Sequence, residues 1–266
     1  MLIVLEGLDG AGKSTQVALL RQLFAERGVE SRYVHFPRFD APVYGELIAR
    51  FLRGEFGGVE AVDPYLVALL FAGDRAEAAP QIREWLAAGD AVIFDRYVYS
   101  NIAYQCAKLP EGEPRRRLAR WILSLEFEHN RLPRPDLSLF LDVPFAFTEE
   151  RLRSAREGDD RAYLHGAADI HESSLALQRT VRDVYLEAAA GDATLRIVDC
   201  GDGEGMGFTF KTYNAHDMLG AIQRAEGLYG NKPLWNQAMV NAMNSDFSWN
   251  KSANEYVDMY KRIMKD

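Results

Sequence analysis

Residues 7–14 read GLDGAGKS, a match to GxxxxGK[ST], and this short stretch constrains the fold more than any other. It follows an apolar, branched run at residues 2–6 and precedes Val17, Leu19, Leu20, Leu23 and Phe24, whose helical spacing ends near Gly28. The order is therefore strand, loop, helix. Glycines at 7, 10 and 12 let the backbone curl so that successive N–H groups face phosphate oxygens, and the helix N-terminus adds positive potential. Lys13 supplies a point charge for the β- and γ-phosphates, and the Ser14 hydroxyl supplies a ligand for Mg²⁺. Gly7, Gly10, Ala11, Gly12, Lys13, Ser14 and Thr15 form the expected contact stretch for ATP.

Further apolar runs at residues 33–36, 91–94, 137–141 and 195–198 are separated by long segments of helical patterning. Strands alternating with helices predict a five-stranded parallel sheet with helices on both faces, an α/β fold whose ligands sit at the carboxyl ends of the strands. Pro133 and Pro135 break the chain before the fourth strand, and the charged stretch 151–166 breaks it before a helix expected over 169–190. The 266 residues are 48% hydrophobic and 26% charged, enough for one substantial core. A net charge of -8 leaves no basic field for nucleic acid, so anionic groups must be met by local arginines. Two cysteines, Cys106 and Cys200, fit neither a disulfide framework nor a metal site. With the first strand beginning at Leu2 and no apolar run long enough to span a bilayer, a cytoplasmic protein without a leader is expected.

The loop alone does not separate kinases from GTPases or motor ATPases. A guanine-reading NKxD is missing, because the one Asn-Lys pair, Asn231 and Lys232, runs on into Pro233 and Leu234. Three further segments are expected at the strand ends: FPRF (36–39), FAGDR (71–75) and DRYVYSNIAYQ (95–105). Phe71 and Arg75, four apart on a predicted helix, share a face, so a ring can stack on a base while a guanidinium donates to it. Taken alone, the pair reads equally as a core Phe and a surface Arg. Asp95 and Arg96 follow a strand, suited either to a metal and a phosphate or to a structural ion pair.

Together with GLDGAGKS, these segments resemble the thymidylate kinase family, bacterial type, from Leu2 to about Asp199. The resemblance implies a P-loop nucleoside monophosphate kinase that phosphorylates dTMP to dTDP with ATP and Mg²⁺, and it implies a homodimer. It also implies residue roles. Phe71 stacks on thymine, Arg75 reaches O4, Asn101 reads the base edge and Tyr104 lies under the sugar at C2′. Phe36, Pro37 and Phe39 flank the acceptor. Arg96 holds its phosphate. Asp9, Asp95 and Ser14 form the metal side. Lid arginines Arg153 and Arg156, among Arg151 and Arg161, close on the transferring group, although a charge run of this kind is by itself usually a solvated face. Asp169 and Glu172 open the next helix, matching the family or simply favouring its dipole. The alternative within the class is a kinase for another nucleoside monophosphate.

From about Gly203 the sequence changes character. GMGFTFKTYNAHDML, RAEGLY, PLW and DFSWNKSANEYVDMYKR resemble the C-terminal end of bacterial glycogen synthase, without the residues that transfer glycosyl groups. The expected organisation is a kinase domain over 1–202 and a helical extension over 203–266, a fusion or chimera. The competing reading is a glycogen-associated protein led by that tail.

Overall fold

The computed structural model describes residues 1–145, 148–149, 163–166, 169–172 and 174–200. The chain divides into two units, Met1–Asp199 and Cys200–Asp266, and the first contains all the elements below. It has five strands, β1 (Leu2–Gly7), β2 (Ser31–His35), β3 (Ala91–Asp95), β4 (Leu137–Asp142) and β5 (Leu195–Asp199). All pair in parallel in the order β2-β3-β1-β4-β5. β1 and β3 are buried along their whole length, as expected for central strands covered on both faces. Their carboxyl ends lie side by side, with Leu5 in register with Asp95.

The helices described are α1 (Lys13–Glu26), α2 (Tyr44–Leu52), α3 (Pro64–Ala87), α4 (Val98–Cys106), α5 (Glu113–Leu123) and α6 (Leu175–Gly191). α5 runs directly into a π-helical turn, Ser124–His129. Asp63 caps α3 by accepting from Tyr65 N–H at 2.8 Å, and Pro64 takes the first helical position, where no amide partner is needed. Small residues bring α2 against its neighbours. A Cβ on Gly73 of α3 would lie 2.1 Å from the Tyr44 ring, and one on Gly45 would lie 2.3 Å from the Arg38 carbonyl oxygen. The close seat of α2 therefore fixes the FPRF segment.

One boundary differs from the sequence reading. The helix expected from 169 begins at Leu175, capped by Ser174, whose Oγ accepts from Leu177 N–H at 3.2 Å. Asp169 instead closes a turn, accepting from His171 N–H at 2.7 Å and Glu172 N–H at 3.4 Å. A short carboxylate bonding the next amides competes with helix, which explains the later start. Among the described residues no helix is long and apolar enough to cross a membrane.

Candidate active site

The phosphate loop joins β1 to α1. Gly10 and Gly12 adopt φ of 80° and 84°, left-handed conformations open to glycine at little cost. Gly12 precedes the first turn of α1 with no side-chain cap, which leaves that turn's amides available to an anion. Lys13 is buried, and its ammonium donates to the carbonyls of Gly7 at 3.3 Å and Leu8 at 3.0 Å. Burial, assisted by Arg96, lowers it to about 8, while Asp95, Asp9 and Glu6 pull the other way. Ser14 and Thr15 are exposed at the mouth of the loop.

Arg96 and Asp9 face each other across the ends of β3 and β1. Arg96 Nη2 donates to Asp9 Oδ1 at 2.6 Å, and the guanidinium carbon lies 5.2 Å from the centre of the Tyr104 ring. Tyr104 in turn donates to Asp9 Oδ2 at 2.6 Å, and Gln178 Nε2 donates to the same oxygen at 3.2 Å. Asp9 thus orients both Arg96 and Tyr104. Asp95 differs: it is 5% exposed, and its Oδ1 has no hydrogen-bond partner among the described residues. A carboxylate oxygen rarely stays buried and unpaired without a function. Its open oxygen and the exposed Ser14 hydroxyl are of the hard, oxygen type that Mg²⁺ takes.

The residues expected to read the base form a second layer. Arg75 is 2% exposed, and its Nε and Nη2 donate to the two oxygens of Glu126 at 2.6 and 2.7 Å. Nη1 is the nitrogen outside that bidentate pair. Asn101 Nδ2 donates to Glu126 Oε1 at 2.8 Å and to the Ala68 carbonyl at 3.0 Å. Two acceptors around one atom fix the amide orientation, so the Asn101 oxygen is the free end, and it has no partner among the described residues. Phe71 is half-buried one turn before Arg75.

Other expected contacts lie elsewhere. The Phe36 ring is 1% exposed and packs edge-on against Phe94 at 5.2 Å, so it supports the sheet core. Pro37 is buried beside it. Phe39 stacks on Tyr163 with centroids 3.6 Å apart, which occupies one face of its ring. Arg153 and Arg156 lie outside the described residues, as does the whole segment from Gly201 onward.

Several site residues escaped the sequence reading. Glu126 lies in a stretch, SLEFEH, where nothing separates it from Glu128, and the π-helical turn that aims it inward has no sequence signature. Gln178 interrupts the apolar stripe that continues at Val181 and Tyr185, and Glu6 interrupts the apolar run of β1. Each was detectable as a polar residue at a core position. Tyr163 donates to Asp169 at 2.8 Å, and burial together with the Asp9 charge pushes Asp169 up to about 7. His171 stacks on Tyr104 at 5.0 Å, and burial holds it neutral, well below the usual imidazole range.

Comparison with known proteins agrees with this geometry. The thymidylate kinase family profile matches residues 5–204. A Mycobacterium tuberculosis thymidylate kinase is 38% identical over 190 residues, covering 71% of this chain and 86% of the relative. A Thermococcus kodakarensis protein named "Probable thymidylate kinase" is 37% identical over 205 residues, covering 75% of this chain and 89% of its own length. The solved Candida albicans thymidylate kinase, an enzyme of broad substrate specificity, aligns with a TM-score of 0.58 and 30% identity over 88% of this chain and 92% of that one. The family profile over residues 5–204, joined to this extent of sequence identity, establishes that the chain belongs to the thymidylate kinase family.

Proposed function

We propose that this enzyme transfers the γ-phosphoryl group of ATP to dTMP, giving dTDP and ADP. The observation that carries the reading is the polarity of the Arg75 and Asn101 pair. Arg75 can only donate, and the unpartnered end of Asn101 can only accept. A donor beside an acceptor complements the O4 and N3–H edge of thymine or uracil, which guanine shares in O6 and N1–H and must be refused by size, whereas cytosine presents the reverse. A site built for hydrogen bonds rejects a mismatched edge strongly, because its own buried groups are left unpaired.

Transfer then needs alignment more than covalent chemistry. An oxygen of the acceptor phosphate forms the new bond to the γ-phosphorus as the bond to the β–γ bridging oxygen breaks, and that electron pair leaves with ADP. Loop amides and Lys13 bind the donor phosphates, and Arg96, oriented by Asp9, takes the acceptor phosphate. Asp95 and Ser14 would hold Mg²⁺, which when bound neutralises charge on the β- and γ-phosphates. Tyr104, braced by Asp9 and Gln178, would lie under the deoxyribose. Leu66 and Leu69, exposed at 59% and 48% one turn apart on α3, support the homodimer. The unit boundary at Asp199 supports residues 1–202 as the catalytic domain, with 203–266 as a fused segment.

The test is a coupled assay of ADP release with dTMP, dUMP, dCMP and dGMP. dTMP should lead, with dUMP weaker by about 10 to 200-fold for the missing methyl, and dCMP and dGMP weaker still. A preference for dCMP or a purine acceptor would overturn the assignment.

A further inference from the structure

Glu6 ends the apolar part of β1 immediately before the phosphate loop, and its side chain has no solvent exposure. Burial drives its carboxyl above the usual range, opposed by hydrogen bonds from Ser100, Tyr185 and Tyr97 and by the Arg96 charge. A buried carboxylate in a core strand is costly unless its donors matter. Four donors converge on it. Oε1 accepts from Tyr97 N–H at 3.0 Å and Ser100 N–H at 3.3 Å, and Oε2 accepts from Ser100 Oγ–H at 2.5 Å and the Tyr185 hydroxyl at 2.9 Å. Tyr97 is the residue before α4 and offers that helix no side-chain cap. Glu6 therefore caps α4 from another element, satisfying amides that the local sequence leaves open.

The consequence falls on the residue before that cap. Arg96 has φ of 68°, a conformation unusual for any side chain other than glycine. Its backbone N–H donates to Leu5 O at 2.9 Å, and its Nη1 donates to Ser100 Oγ at 3.3 Å. The Ser100 hydroxyl thus gives its hydrogen to Glu6 and receives one from Arg96. We infer that Glu6 is a positioning residue for phosphoryl transfer: reaching from β1 to the first turn of α4, it fixes Ser100 and, through it, the guanidinium that receives the acceptor phosphate. The device ties the strand that launches the donor loop to the group that holds the acceptor. It rests on the proposed role of Arg96.

Steady-state kinetics of the full chain with ATP and dTMP test it, using Glu6→Ala, Glu6→Gln, Ser100→Ala, Arg96→Ala and the Ser100→Ala/Arg96→Ala pair. Ser100→Ala keeps three of the Glu6 contacts and should fold, so the test stands even if Glu6→Ala does not. The expected result is a rise in KM for dTMP of about tenfold in Ser100→Ala, the scale of one charge-assisted hydrogen bond, with KM for ATP little changed. Glu6→Gln, which keeps an oxygen for the two amides, should recover most of what Glu6→Ala loses. The double variant should match Arg96→Ala alone, because the two act in series. A dTMP KM within twofold of the parent in Ser100→Ala, or equal losses for ATP and dTMP, would overturn the role of Glu6 while leaving Arg96 as the phosphate ligand. A silent Arg96→Ala would overturn both.

Discussion

Replacing Glu126 by Ala removes the acceptor for three buried hydrogen bonds, two from Arg75 and one from Asn101. The side chains of the ion pair are 2% and 0% exposed, so solvent cannot substitute for the lost carboxylate. Truncating one partner of a buried pair strands a charge and costs about 3–5 kcal/mol, against about 0–1 kcal/mol for a surface pair. With a urea slope of about 2 kcal/mol/M, the unfolding midpoint should fall by about 1.5–2.5 M. Glu126→Gln, which still offers one oxygen, should fall by less. The same variant should raise the KM for dTMP more than that for ATP, because the freed Arg75 and Asn101 read the acceptor base. A loss below about 1 kcal/mol would refute the reasoning, since it would mean that the Arg75 guanidinium does not depend on Glu126 for its place.

Three other substitutions probe separate parts of the account. Lys13→Ala should lower kcat by about 10² to 10³, the scale of losing one preorganised charge-stabilising donor, and near-normal turnover measured by ADP release would exclude a catalytic loop. Gly45→Ala, a change that ordinarily stabilises a helix by about 1 kcal/mol, should here destabilise in thermal melts, because the new Cβ meets the Arg38 carbonyl at 2.3 Å. Asp169, raised to about 7, keeps a proton in the folded state that the unfolded chain releases near pH 4. Its contribution to stability is therefore full below about pH 4, declines by about 1.4 kcal/mol per pH unit up to about 7, and is constant above. Asp169→Asn should flatten that part of the pH dependence of Tm, and an unchanged profile would contradict the burial of this carboxyl.

How much the sequence disclosed follows from the range of the interactions involved. The phosphate loop was legible because its function is local: glycine conformations, the amide cradle and Lys13 all lie within eight residues. The five strands were legible because each carries a short apolar run between helical segments, most fully buried in the central β1 and β3, which are covered on both faces. Arg75 and Asn101 could be named, with base-reading roles implied by the resemblance, but not which of their atoms are left open, because Glu126 decides that and arrives from a π-helical turn 51 residues beyond Arg75. The start of α6 was misplaced because DIHE looks like a helix N-terminus, although the carboxylate in fact satisfies the next amides of a turn. The resemblance put Phe36 beside the acceptor, whereas its packing on Phe94 and Tyr97 depends on neighbours distant in sequence and could not be read there.

The central claim is that one cleft brings the donor phosphate to the acceptor phosphate, and a crystal structure with dTMP and a non-hydrolysable ATP analogue tests it most directly. The account predicts the thymine O4 and N3–H on Arg75 and Asn101, the acceptor phosphate on Arg96, and an acceptor oxygen about 3–3.5 Å from the γ-phosphorus. Nucleotides seated in separate clefts, or a base edge turned away from Arg75 and Asn101, would contradict it.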